Sequence, residues 1–217
     1  ISEILVRDGD IVAAGQALIR LRKIQSLAEL ELLQGRHITA SATEARLIAE
    51  RDGRIEVPFP EWLLDRLEEP EVIDTIAGQV NIFASRQESL DHQTQILHQR
   101  IAQFEEEITG LEGQITAENL QLKLIAEESK DVRQLVKSGL ARRPRLLSQE
   151  REAAALEGRR SQNLSGIARA KQSISETRLR ISELKTAMVN EVVQQLSQTQ
   201  AELFDLANRI RASEDKL

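Results

Sequence analysis

Residues 73–136 decide the fold of this chain, and they read IDTIAGQVNIFASRQESLDHQTQILHQRIAQFEEEITGLEGQITAENLQLKLIAEESKDVRQLV. Alternating steps of three and four residues from Ile73 to Val136 visit 19 positions, of which 15 are apolar. The four polar exceptions are Gln87, Thr94, Glu118 and Ser129. Apolar residues at this spacing form one stripe along a helix, and the repeat is that of a coiled coil. The stretch therefore predicts one long helix whose stripe, the seam, packs against a partner.

A second helical stretch follows a break in this pattern. Lys137-Ser138-Gly139-Leu140 places a glycine where helices commonly end, and Pro144 suits the first turn of a new helix. The apolar register then resumes at Leu146, Ala153, Leu156, Ile167, Ala170, Ile174, Ile181, Leu184 and Met188, with polar interruptions at Gln149, Arg160, Asn163 and Thr177. Two long arms around one short turn pack most simply on each other. We predict an antiparallel helical hairpin over residues 70–217, with its tip near 137–145.

The register of the second arm slips by one residue after Met188. It continues through Val192, Leu196, Leu203, Leu206, Ile210 and Leu217. A slip of this kind changes the local supercoil without ending the helix, so we expect a local change in seam packing.

The chain before the hairpin combines a β pattern with a shorter helix. Residues 1–22 alternate apolar and polar positions around Asp8-Gly9-Asp10 and Ala14-Gly15-Gln16, which predicts short strands of half a small β-domain. Residues 23–69 then predict an additional helix to about Arg51 and an irregular connection around Pro58 and Pro60, with a short helix at 62–67. Because the pattern is already under way at the first residue, we expect a longer parent protein.

The composition favours long helices over a globular core. Among 217 residues there are 4 Phe, 1 Trp and no Tyr, so the large side chains that fill compact cores are scarce. The net charge of −6 argues against a nucleic-acid-binding protein, whose surface would be basic. The absence of cysteine excludes disulfides, thiolate metal sites and cysteine nucleophiles in this sequence.

No residues combine into a catalytic, cofactor or metal site in the sequence. His92 and His98 are six residues apart and fall on different helical faces, and His37 is remote in sequence. Asp8-Gly9-Asp10 lacks the further oxygen ligands of a calcium loop, and the acidic run 105–107 is typical of the solvated face of a coiled coil. We predict a protein that is not an enzyme and that holds no cofactor.

The predicted turn carries a basic cluster on an otherwise acidic chain. Lys137, Arg142, Arg143 and Arg145 lie beside Leu140. These side chains either solubilise the turn and complement helix ends, or form a docking tip, because arginine and apolar groups together are typical of interfaces.

Four segments resemble the haemolysin D type membrane fusion proteins, the periplasmic adaptors of type I secretion systems. EILVRDGDIVAAGQALIRL (3–21) is similar to the first half of their lipoyl-type domain. ERDGRIEVPFPEWL (50–63) and IAGQVNIFASRQ (76–87) resemble the connection that follows. VKSGLARRPRLLSQEREAAALEG (136–158) resembles the hairpin tip of the subgroup that exports proteases and lipases.

The resemblance implies a mainly α fold, in which a coiled-coil hairpin is inserted between the halves of a lipoyl-type β-domain. It implies a periplasmic adaptor, anchored in the inner membrane, that forms a ring of six and links an ABC transporter to an outer-membrane channel of TolC type. The residues expected to dock on the channel are Leu135, Ser138, Gly139, Leu140, Arg142, Arg143 and Arg145.

The tip departs from that of drug-efflux relatives, which carry an Arg, a Leu four residues later and a Ser seven residues after that. With Leu135 at the Leu position, Asp131 replaces the Arg and Arg142 replaces the Ser. The channel contacts of those relatives therefore do not transfer to this chain.

Two other functions remain open from the residues. One is a fragment of a biotin or lipoyl carrier domain, which would need a modified lysine on a short hairpin between two half-motifs. The other is a general coiled-coil tether, for which a lipoyl half-motif has no purpose.

Overall fold

The computed structural model describes residues 3–6, 9–14, 16, 19–20 and 23–215, and long helices dominate it. Two short strands, β1 (Glu3–Ile4) and β2 (Ile19–Arg20), precede four helices. The helices are α1 (Lys23–Arg51), α2 (Glu61–Leu64), α3 (Pro70–Lys137) and α4 (Arg143–Glu214). This architecture confirms the predicted mainly α fold with two long arms.

The strands form one antiparallel pair, with Ile4 opposite Ile19. Gly9 has a φ of 95°, the left-handed conformation that favours glycine in a turn. Asp8 and Gly15, which belong to the two predicted turns, lie outside the described residues. A pair of two-residue strands does not identify a lipoyl-type domain, so that domain stays a prediction.

The helices belong to two compact units. The hairpin unit is Ser89–Lys185, and the three-helix unit comprises the described residues up to Glu88 together with those from Thr186 onwards. α3 and α4 contribute to both units, whereas α1 and α2 belong to the three-helix unit alone.

The predicted seam is confirmed throughout α3 in the hairpin unit. Every predicted position from Leu90 to Val136 is buried or half-buried, and every other α3 residue between them is exposed. On α4 the predicted positions from Leu146 to Leu184 are likewise covered, except Arg160, which is exposed. Its long charged side chain remains in water because burying an unpaired charge is costly.

Cross-arm contacts establish the antiparallel direction within the hairpin unit. Moving along α3 from Glu105 to Glu118, the partner on α4 moves back from Arg178 to Asn163. Around the level of Glu105 and Arg178, an apolar cluster joins buried Ile101, Ile174 and Ile181 with half-buried Leu97, Phe104 and Ile108. Removal of these side chains from water is the main force that holds the arms together.

At the start of α3 the predicted seam holds at Ile76 and Phe83, which are covered, and is wrong by one residue at the three positions between and beside them. Ile73, Val80 and Gln87 were expected to face the partner arm, and all three are exposed. Instead Val72 is fully buried, and Gln79 and Arg86 are half-buried. The physical reason is a different partner, because α1 packs against this part of α3.

α1 packs with one face on α3 and another on α4. Its first face places Ile38 and Ala42 in a cluster with Leu63 and Val72, to which Phe59 and Ile76 contribute. Its second face repeats every seven residues, so that Leu33 and Ala40 contact Leu206, and Leu47 contacts Val192 and Leu196. A helix with two apolar faces has to bury both of them, and α1 does so between α3 and α4. The unit is therefore a three-helix bundle.

The slip after Met188 lies where α4 gains α1 as a partner. Met188 and Val192 pack in one cluster with Leu47 and Ile48 of α1, and Val192 is fully buried. The slip therefore rotates the apolar stripe of α4 towards α1, which is the local change in packing expected from the sequence.

Candidate functional site

The turn between α3 and α4 is a tightly hydrogen-bonded helix end. The amide of Leu140 donates to the carbonyl of Leu135 at 2.8 Å, and the amide of Gly139 donates to the carbonyl of Val136 at 3.1 Å. These two bonds define a Schellman motif, whose left-handed position is Gly139 with a φ of 77°. The predicted glycine stop is thus confirmed, and its backbone bonds fix the direction in which the chain leaves α3.

Ser138 contributes its side chain to the same helix end. Its hydroxyl lies 3.1 Å from the carbonyl oxygens of both Gln134 and Leu135, so it donates to the last turn of α3. On the other side of the turn, the amide of Arg145 donates to the carbonyl of Arg142 at 3.2 Å, and Pro144 occupies the first turn of α4. Ser138 and Gly139 therefore shape the turn.

Leucines stand exposed around this turn. Leu140 is 78% exposed, Leu135 is 44% exposed and Leu147 is 45% exposed. The sequence analysis missed Leu147. The available signal was that Leu146 alone fills the seam position, so the adjacent Leu147 must point away from the seam. Large apolar side chains on an exposed turn are typical of a surface that meets a partner.

The basic residues predicted at the turn differ in whether they have a partner in the structure. Among the described residues, no side chain pairs with Lys137, Arg142 or Arg143, which are all exposed. Arg145 instead reaches across the arms, and its Nη2 lies 3.5 Å from Oε1 of Glu128. Two arginines and a lysine thus remain available to a partner, whereas Arg145 belongs to an exposed ion pair between the helices.

A buried polar pair lies within the seam close to the turn. The side chains of Ser129 and Gln149 are hydrogen-bonded at 3.3 Å, and each residue is 8% exposed. Both were recognised as polar interruptions of the seam, but sequence spacing does not reveal that they pair. A polar pair in a coiled-coil seam disfavours other registers, so this pair fixes the alignment of the arms beside the turn.

The residues set aside for metal binding or catalysis remain apart. The ring of His37 contacts that of Trp62 in a tilted arrangement with centroids 5.5 Å apart, and His92 and His98 are exposed. Within residues 3–6, 9–14, 16, 19–20 and 23–215, no group of three acidic or histidine side chains could hold a metal ion. None of the helices in this part of the chain is long and apolar enough to cross a membrane.

Comparisons with known proteins match this hairpin. The family described as AprE, long alpha-helical hairpin, matches residues 26–216. The crystal structure of the soluble domain of LipC, a membrane fusion protein of a type I secretion system, is similar with a TM-score of 0.88 and 30% identity. That similarity covers 99% of this chain and 81% of the LipC chain.

Two curated relatives carry names of the same kind. The type I secretion system membrane fusion protein PrsE of Rhizobium meliloti is 34% identical over the whole chain, which covers 49% of PrsE. The alkaline protease secretion protein AprE of Pseudomonas aeruginosa is 30% identical over 92% of the chain, covering 46% of that protein. The chain thus spans about half the length of these relatives. The names of these relatives describe secretion proteins and state no enzymatic activity.

Proposed function

The chain belongs to the AprE family of long alpha-helical hairpins, among the membrane fusion proteins of type I secretion systems, and on this premise we propose that it is the hairpin segment of a periplasmic adaptor. The whole protein would be anchored in the inner membrane and would link an ABC transporter there to an outer-membrane channel. The exported protein would be a protease, which the name of AprE specifies, or a lipase, which the family resemblance implies.

The exposed turn between α3 and α4 is the surface that we propose to bind the outer-membrane channel. Leu140 stands in water beside Arg142 and Arg143, whose charges have no partner in the described part of the chain. A partner that covers Leu140 gains apolar burial, and carboxylates or carbonyl groups on its rim would pair with the arginines. Ser138 and Gly139 hold this turn in shape, while Leu135 and Arg145 border it.

We propose the finer features of the assembly on the same ground. The channel is of TolC type, and copies of the adaptor surround the transport path as a ring of six in the periplasm. A long pair of helices suits this role, because the adaptor has to hold two partners apart.

The two other functions have less support. A biotin or lipoyl carrier presents its lysine on a short hairpin, whereas helices of 68 and 72 residues follow β2 here. A general tether gives no reason for unpaired arginines around an exposed leucine. Intact-mass measurement of the full-length protein tests the carrier function, because a biotinyl or lipoyl adduct would support it.

Photo-crosslinking in cells tests the docking proposal. A photoreactive amino acid replaces Leu140 in the full-length protein, in cells that contain the transporter and the outer-membrane channel. We expect a crosslinked product that contains the channel protein.

The matched control places the same amino acid at Leu179, which is 60% exposed on α4 within the same unit. We expect no channel crosslink from this position. Equal capture of the channel from both positions, or capture from Leu179 alone, would show that the turn is not the docking site.

A further inference from the structure

The seam of the hairpin unit is only partly buried midway along the two arms. In the described stretch 102–128 of α3, every residue is exposed or half-buried, and the same holds for residues 157–165 of α4. Hydrogen bonds from Asn163 to Glu118 bring these two stretches to one level. We term residues 116–124 of α3 and 157–165 of α4 the middle segment. Little apolar surface is removed from water there, so the arms hold each other weakly.

Polar residues occupy most of the seam in the middle segment. Three of its four seam positions are Glu118, Arg160 and Asn163, and Leu122 is the fourth. The amide group of Asn163 donates to the two carboxylate oxygens of Glu118, at 3.2 Å and 3.3 Å, and both residues are half-buried. Because both groups can bond to water instead, this contact adds little to the free energy that holds the arms together.

The arms also leave space between them at this level. A groove of about 570 Å³ is lined by residues of both arms, among them Leu122, Ala153 and Arg160. Two further leucines of α3 do not fill the seam, since Leu120 and Leu124 are 60% and 56% exposed. Side chains that face open space lose the contacts that a close-packed partner would provide. The middle segment is therefore loosely packed as well as polar.

Glycines weaken the helices around the middle segment. The hairpin unit has four glycines inside its helices, all in or near this segment: Gly110, Gly113, Gly158 and Gly166. Gly166 has a packing reason, because an added Cβ would lie 3.0 Å from Cδ1 of Leu111. At the other three positions an added Cβ would meet open space. Packing does not require those three glycines, and each makes its helix less stable than alanine would.

Firm contacts lie on both sides of the middle segment. Away from the turn is the apolar cluster that contains Ile101 and Ile174. Towards the turn, Val132 is 3% exposed, and Gln149 forms its buried hydrogen bond with Ser129. A local opening costs only the contacts that it breaks, so a weak segment between two firm ones opens by itself.

We infer that the middle segment is a soft joint, at which the two arms separate and bend transiently while the segments on either side of it stay paired. The inference goes beyond the proposed docking function and does not depend on it. In an adaptor, such a joint would let the turn change direction without disturbing the contacts at the other end of the hairpin unit.

Hydrogen–deuterium exchange of the full-length protein, measured by mass spectrometry of peptides, tests the joint. We expect backbone amides of the middle segment to exchange roughly tenfold faster than those around Ile101 and Ile174 and those around Val132 and Gln149. The exchange rate should therefore peak part-way along both arms. A rate that rises steadily from the apolar cluster to the turn, or that is uniform along the arms, would overturn the inference.

An apolar seam should close the joint. Glu118→Leu combined with Asn163→Leu places apolar side chains between the arms, and we expect exchange in the middle segment to slow roughly tenfold on both arms. The matched control is Gln121→Leu combined with Gln162→Leu, which adds leucines at exposed positions of the same segment and should leave exchange unchanged. Equally fast exchange in the seam variant and the control, with normal helicity by circular dichroism, would contradict the proposed cause of the joint.

Replacement of glycines provides a second variant that leaves the seam intact. Gly113→Ala combined with Gly158→Ala should slow exchange in the middle segment by roughly five- to tenfold, with no change around Ile174. Gly78→Ala is the matched control, because its added Cβ also meets open space but lies in the three-helix unit. It should not affect the middle segment. Equal slowing by Gly78→Ala, or no slowing by the double change, would show that the hairpin has no local joint.

Discussion

Arg46 and Glu50 form a buried ion pair inside the three-helix unit, with Nη1 of Arg46 2.5 Å from Oε1 of Glu50 and side chains that are 7% and 1% exposed. The other oxygen of Glu50, Oε2, lies 3.5 Å from Nε of Arg86 on α3. Arg86 in turn contacts Glu191 on α4 at 3.0 Å. One carboxylate thus connects α1 with α3, and Arg86 extends the connection to α4.

We expect Glu50→Gln to destabilise the three-helix unit by about 3 kcal/mol, because it leaves two arginines without their buried counter-charge. The matched control is Glu202→Gln, which removes the carboxylate of an exposed cross-helix pair with Arg36 and should change stability by less than about 1 kcal/mol. Denaturant unfolding followed by circular dichroism measures both. Similar small changes in the two variants would mean that the buried network does not stabilise the unit.

The seam of the hairpin unit predicts a strong effect of Ile174→Ala. Ile174 is 7% exposed in the apolar cluster, and its truncation should destabilise the unit by about 2–3 kcal/mol. Leu179→Ala removes an exposed side chain from the same helix and should change the unfolding free energy by no more than about 0.5 kcal/mol. Thermal and denaturant unfolding would contradict the seam assignment if the two variants were equally stable.

Gly139→Ala should destabilise the turn by about 1 kcal/mol, because its φ of 77° is unfavourable for a residue with a side chain. Gly158→Ala provides the opposite case, since its added Cβ would meet open space in the middle of α4. It should stabilise the protein by about 0.5–1 kcal/mol through helix propensity. Denaturant unfolding should show changes in the free energy of unfolding of opposite sign for the two variants. Stabilisation by both changes would refute the strained conformation of Gly139.

The unpaired arginines of the turn should determine export. We expect Arg142→Glu combined with Arg143→Glu to reduce secretion strongly while helicity and melting temperature remain unchanged, because exposed charges contribute little to the seam. Arg54→Glu combined with Arg211→Glu introduces the same charge at exposed positions of the three-helix unit and should leave secretion normal. Secretion assayed in cells decides the matter, and normal export by the turn variant would place the channel contact elsewhere.

An ion pair in the turn before α3 predicts a small dependence of stability on pH. Nε and Nη2 of Arg66 donate to the two oxygens of Glu69 at 2.7 Å, and these hydrogen bonds lower the pKa of Glu69 from its ordinary value of 4.5. A carboxyl whose pKa is lower in the folded state stabilises the fold above its unfolded pKa and loses this contribution as the pH falls through the folded pKa. The melting temperature of Arg66→Ala should therefore lie slightly below that of the parent at neutral pH, and the difference should vanish on acidification below the folded pKa of Glu69. A difference that grows in acid would contradict this sign.

The sequence by itself determined the two arms, their turn and the seam of the hairpin unit. Its 3–4 spacing is local information, since any helix with such a stripe has to bury it, and Gly139 and Pro144 mark where one helix ends and the next begins. The family resemblance likewise rested on local segments. The docking residues around the turn were selected in the same way, and they remain a proposal.

Only the tertiary structure decided which surfaces meet. The stripe at the start of α3 is ambiguous between Ile73 and Val72, and the choice falls on Val72 because α1 supplies the partner. Sequence also placed Arg145 with the other turn arginines, whereas packing of the arms brings it to Glu128, 17 residues away. The physical reason is the same in both cases: a periodic pattern shows that a face will be covered, but what covers it depends on residues distant in the chain.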